Sequence, residues 1–181
     1  DYSKVKAYFE EKSTLLPFSV LETYKPMMAS SLLSEGDLPC EGATSMEQII
    51  MGAAKQQGKK IKGLETMAQQ AGFLDSIPYK YQAAELVKYI DSAGTDNGQN
   101  TMMNQLFDAY RNQDLKKLED LMLDSDAGMS SFSDILLYRR NANWVIKLKT
   151  LMTDKSLLVA VGAGHLPGEK GVISLLRKAG Y

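Results

Sequence analysis

The chain has 181 residues, 44% of them hydrophobic, with 21 basic against 22 acidic side chains. That length and apolar content suit one folded domain with a sizeable core and exclude a largely disordered chain. The balanced charge implies no nucleic-acid partner, no apolar run approaches the ~20 residues of a membrane-spanning helix, and a lone cysteine, Cys40, excludes an internal disulfide.

In chain order, Val5, Tyr8 and Phe9 predict a short amphipathic helix over about 3–13. Pro17 suits a first helical turn, opening Phe18 to Leu33, and Pro26 is expected to kink that segment. Residues 35–44 read as a loop. Ser45 is a candidate N-cap for Met46 to Gln57, with Gln48 completing a capping box and Gly58 ending the helix. A glycine-bounded stretch at about 60–65 predicts a strand, with Lys59, Lys60 and Lys62 at a solvated edge. Helices follow at about 66–75 and 78–92, the second opened by Pro78, before a turn-rich break at 93–98. Further helices are expected at about 100–111, at 114–123 with Asp114 as N-cap, and, after an acidic turn at 124–128, at about 130–153. An apolar, β-branched run at 156–162 predicts a second strand, and a helix at about 169–179 closes the chain. The ten methionines fit core filling. The fold class expected is α/β, helix-rich. Two strands alone make no stable sheet, so they would belong to a larger one completed by residues upstream. No signal-peptide pattern follows Asp1, so the chain either lacks such a signal or has lost its start.

Three clusters carry candidate chemistry. The only histidine, His165, follows the second strand through Gly162 and Gly164. Glycines there let the backbone turn sharply or approach a ligand closely, and ligands bind at strand exits in open α/β sheets. A neutral imidazole ligates metals or acts as a base; the alternative is a histidine that satisfies a loop carbonyl. One histidine is not a metal site, because three or four protein ligands are needed. Gly162, Gly164, Gly168 and Gly171 could cradle an anion, but both the dinucleotide and the P-loop patterns fail. Glu65 ends the first strand. With parallel strands it would share a sheet edge with His165, as metal ligand or acid/base partner; otherwise it stabilises the N-terminus of the next helix. Arg140 and Asn141 interrupt the apolar stripe Leu137, Trp144, Leu148, Leu151. Arg140 therefore needs a partner, Glu65 or another acid, or it holds an anionic substrate.

These clusters, in this order, resemble the TraB/GumN family: Gly58-Lys59-Lys60-Ile61-Lys62-Gly63-Leu64-Glu65-Thr66 with Gln70; Arg140-Asn141-x-x-Trp144; and Val159-Ala160-Val161-Gly162-Ala163-Gly164-His165-Leu166, then Gly168, Gly171 and Gly180-Tyr181. The resemblance covers about residue 45 to the end. It implies an α/β fold with many helices, in a family that includes pheromone-shutdown proteins and the animal Tiki proteins, which are metal-dependent proteases. The family's pattern holds two Gly-x-x-His motifs plus acidic residues. Gly162 to His165 matches the second; the first has no counterpart here. Residues 1–181 are accordingly identified as a single TraB/GumN-like domain, N-terminally truncated.

The function implied is a metal-dependent, peptidase-like hydrolase, incomplete as this fragment. Glu65, His165 and Arg140 would be catalytic, His165 and Glu65 metal ligands, and Asn141, Gly162 and Gly164 substrate-binding. A divalent ion (Co, Mn or Zn) would bind the full-length protein, not this fragment tightly. The alternative is a non-catalytic protein that binds a peptide or an envelope component. The resemblance implies export to the bacterial periplasm or cell envelope.

Overall fold

The computed structural model describes residues 1–12, 16–36, 44–92, 99–124 and 132–181. Cys40, most of the loop predicted at 35–44, the break at 93–98 and most of the acidic turn at 124–128 lie outside them. The helices are α1 (Tyr2–Glu11), α2 (Phe18–Leu21), α3 (Pro26–Gly36), α4 (Met46–Gln56), α5 (Met67–Asp75), α6 (Tyr79–Ser92), α7 (Gln99–Arg111), α8 (Leu115–Asp124), α9 (Arg139–Leu151) and α10 (Val172–Lys178). A π-helical turn, Asp134–Tyr138, precedes α9, and a 3₁₀ turn, Ala163–His165, follows it. The chain forms two compact units, Asp1–Ile61 with Leu74–Asp96, and Lys62–Phe73 with Asn97–Tyr181.

Local signals account for several helix ends. Ser45 Oγ accepts the Gln48 amide at 3.2 Å, and the Asp114 carboxylate accepts the Lys117 amide at 2.9 Å. Gly58, at φ +63°, closes α4. Its amide bonds the Lys55 carbonyl while the Lys59 amide bonds that of Ala54, the Schellman pattern. Thr66 and Gln69 form a reciprocal capping box at the start of α5. Pro26 does more than kink: it separates α2 from α3, because the residue before a proline disfavours helical geometry.

The α/β expectation is overturned. Among the described residues there is no strand; 59–63 and 156–162 follow non-helical paths without ladder partners. A β-branched run favours extended backbone, but a strand exists only when a neighbour takes up its amides and carbonyls. Leu157 and Leu158 are accordingly exposed, Leu158 to 78%. The described fold is all-α. The methionine expectation also fails in part: Met28, Met46, Met51 and Met67 are exposed, and α4 buries no residue.

In the first unit, α1, α3 and α6 pack around Phe9, Leu21, Ala29, Leu33, Leu86 and Ile90. Beside this core Gln82, 2% exposed, is a polar hub. Its amide donates to the carbonyls of Ile77 (2.9 Å) and Leu74 (3.2 Å), and its oxygen accepts the Met27 amide (3.3 Å) at the start of α3. One side chain thus satisfies an orphan helix donor and two carbonyls. In the second unit, α7 and α8 enclose Ala109, Leu118 and Leu121, while α9 and α10 enclose Trp144, Val145 and Val172.

Replacing Gln82 with Leu keeps the bulk and removes the side-chain partner of the Ile77 carbonyl and the Met27 amide, while the Leu74 carbonyl keeps the Ile77 amide. Urea unfolding is expected to show a loss of about 2–3 kcal/mol; a loss below about 0.5 kcal/mol would deny Gln82 its role as a hub.

Candidate functional site

The site is built on the first turns of α9. Asn141, Trp144, Val145 and Leu148 face the core, as i, i+3, i+4 and i+7 spacing requires. The helix expected from sequence over about 130–153 is helical without a break through the described residues 133–151, with a π turn at Asp134–Tyr138 ahead of α9. At its π turn the Arg139 amide reaches back to the Asp134 carbonyl.

Arg140 is 13% exposed and Glu65 14%. Arg140 Nη2 donates to Glu65 Oε2 at 2.9 Å and Nε to Oε1 at 3.0 Å, a bidentate pair. Nη1 donates to the Leu136 carbonyl at 2.7 Å. The guanidinium is stacked against the Trp144 ring, 4.9 Å from its centroid, and lies 5.5 Å from that of Phe73. Glu65 is held from its own side too: Lys147 Nζ donates to the carbonyls of Gly63 (2.9 Å) and Leu64 (3.2 Å), and the Leu64 side chain packs on the Trp144 cluster.

His165, 8% exposed, ends the 3₁₀ turn, its amide bonded to the Gly162 carbonyl at 2.9 Å. Val161 packs on the Trp144 cluster and Ala163 on the α7–α8 core, so the turn is anchored on both sides. The ring lies 4.4 Å from that of Trp144, and Nδ1 is 2.6 Å from Asn141 Oδ1. Asn141, 1% exposed, also donates to the carbonyls of Lys170 (2.9 Å) and His165 (3.4 Å). The loop from 165 to 170 is thereby fastened to α9. Its glycines serve close packing: Gly168 has φ +78°, and a Cβ on Gly171 would fall 2.1 Å from the Pro167 carbonyl oxygen. The Trp144 Nε1–H is buried with no hydrogen-bond partner.

Burial first, then the Arg140 charge, lowers the His165 pKa from 6.5 to about 4, against an opposing effect of Glu65. The imidazole is neutral at pH 7.

The structure brings Glu65, Arg140, Asn141 and His165 together around Trp144. It does so without the shared sheet edge expected from sequence; α9 carries the arrangement. Gly162 precedes the turn and Gly164 is its middle residue, lining an open groove of about 210 Å³ with Met122, Leu137, Tyr138, Gly168 and Lys170. That is below the ~300–1,000 Å³ of typical ligand pockets. Sequence reasoning missed Phe73 and Lys147. Lys147 stands seven residues after Arg140, two helical turns along, which is a legible spacing; Phe73 carried no signal.

A divalent metal finds no complete site here. Both carboxylate oxygens of Glu65 are engaged by Arg140, and no cluster of three or more His, Cys, Asp or Glu side chains suits a metal among the described residues. His165 supplies one donor where three or four are needed. The described residues do not fit a metal centre by themselves.

The family model for TraB/PrgY/gumN proteins matches residues 1–181. This chain belongs to the TraB/PrgY/gumN family. The match begins well before residue 45, where the sequence resemblance starts. The TraB-family chain is 22% identical over 180 residues to a protein of Amphimedon queenslandica named "Metalloprotease TIKI homolog", an alignment that covers 86% of this chain and 35% of that protein. The chain thus spans about a third of the length of that curated relative. No solved structure matches significantly.

The depressed His165 pKa has a thermodynamic consequence. Between pH 6.5 and about 4 the unfolded chain takes up a proton that the folded state refuses. The contribution is complete above pH 6.5 and lost as pH falls towards 4, by up to about 3 kcal/mol. Urea unfolding at pH 7 and 4.5 is expected to show this loss in the wild type over and above that of His165→Gln. Equal losses in both would contradict it.

Proposed function

We propose that this TraB-family chain contributes to a hydrolytic centre that acts on peptides, with His165 as its reactive group. The observation that carries the reading is a buried imidazole kept neutral beside a bidentate Arg140–Glu65 pair. A buried imidazole with a strongly depressed pKa beside specific charged partners is the kind of group that functional sites use. The name of the Amphimedon queenslandica relative supports hydrolysis and a metal ion in the whole protein, which in this reading is divalent, Co, Mn or Zn. Any such ion would take its remaining ligands from outside the described residues. In this reading His165 donates an electron pair, Arg140 holds the Glu65 carboxylate in place, and the backbone at Gly162 and Gly164 meets the substrate. The unbonded Trp144 Nε1–H is a further donor within the same cluster.

The test incubates the whole protein with a mixture of unstructured peptides, with Co²⁺, Mn²⁺ or Zn²⁺ or with a chelator, and reads products by mass spectrometry. Cleavage is expected, slowed by about 100-fold or more in His165→Gln with the circular dichroism unchanged. Equal rates in both proteins would contradict the reading. Peptide retained but never cleaved would replace it with a non-catalytic binding role.

A further inference from the structure

The amide of Asn141 has a determined orientation. Its nitrogen faces two carbonyl oxygens, those of Lys170 at 2.9 Å and His165 at 3.4 Å. Turning the group over would set Oδ1 against those oxygens, acceptor against acceptor, and abandon both bonds. Oδ1 is therefore the atom that meets His165 Nδ1 at 2.6 Å, and an amide oxygen only accepts. The ring nitrogen it meets must carry the proton.

We propose that Asn141 is a positioning residue that fixes His165 as its Nδ1–H tautomer, so that Nε2 presents the lone pair. The inference rests on His165 being the reactive group of the site and says which of its atoms reacts. A hydrogen bond at one ring nitrogen commonly sets the chemistry of the other, through a carbonyl or a carboxylate. Here the same role falls to a side-chain amide one helical residue after Arg140. The two carbonyls that orient the amide belong to the loop that carries His165, so loop position and tautomer are set by one side chain. The result is an electron-pair donor for a proton or a divalent cation, and a poor proton donor from Nε2. Asn141, expected from sequence to bind substrate, acts instead through His165.

Because His165 is the only histidine, nitrogen-15 NMR of the imidazole needs no assignment by mutagenesis. At pH 7, long-range ¹H–¹⁵N correlation of the wild-type protein is expected to give Nδ1 a pyrrole-type shift and Nε2 a pyridine-type shift, with the Nδ1 proton slow to exchange with water. A pyridine-type Nδ1 would overturn the proposal, and this spectrum decides the tautomer whatever any variant does. In folded Asn141→Ala, loss of the Nδ1–H tautomer as the dominant form is expected; an unchanged tautomer would overturn Asn141 as its cause. Failure of peptide cleavage leaves these spectra as expected, whereas a wrong tautomer contradicts this inference without touching the cleavage assay, so the two failures are distinguishable.

Discussion

Two adjacent polar residues on the buried face of a helix must both find partners, and the second unit is arranged around that requirement. A guanidinium out of water costs several kcal/mol unless its donors are met. Arg140 meets them with Glu65 and with the carbonyl of Leu136 in its own preceding turn. An unpaired buried amide costs less but still about 1–3 kcal/mol. Asn141 meets its needs with His165 and the carbonyl of Lys170. The two residues sit about 100° apart around the helix axis, so they recruit different stretches of chain. Arg140 draws in the segment that ends at Glu65, and Asn141 the loop from His165 to Lys170.

The histidine takes its character from this arrangement more than from its own position. Packed on Trp144 and bonded to a neutral amide, it has no carboxylate in hydrogen-bond contact among the described residues. Burial is what chiefly keeps the imidazole uncharged; the Arg140 charge adds to it, and Glu65, hydrogen-bonded to Arg140, opposes it. Structure and candidate chemistry share atoms here, so a substitution at Glu65 or Arg140 alters both stability and the state of His165.

What was legible in the sequence was mostly local. The cap at Ser45, the glycine stop at Gly58 and the cap at Asp114 follow from donors and acceptors three or four residues apart. The Thr66–Gln69 capping box is written in the same code, at the start of the helix expected over about 66–75. The need of Arg140 for an acid, with Glu65 as a candidate, was also legible, since a charge in an apolar stripe demands a partner whatever the fold. The sheet was not legible, because β-branched residues at 156–162 record a preference, while a strand is a relation between two segments. Nor was the π turn before α9, whose extra residue leaves no mark in periodicity, nor the hub at Gln82, whose partners come from three separate elements. Proximity of Glu65 and His165 was expected for a reason that failed: a common sheet edge was invoked, and neighbouring residues of one helix supply it instead.

The central claim is that the Arg140–Glu65 pair is a mutual requirement of the buried site. A double-mutant cycle with Arg140→Met and Glu65→Leu, read by equilibrium unfolding at pH 7, tests it most directly. Each single substitution leaves a buried charge without its partner and is expected to cost about 3–5 kcal/mol, while the double substitution costs less than either alone. Additive losses, or single losses within about 0.5 kcal/mol of zero, would contradict the account.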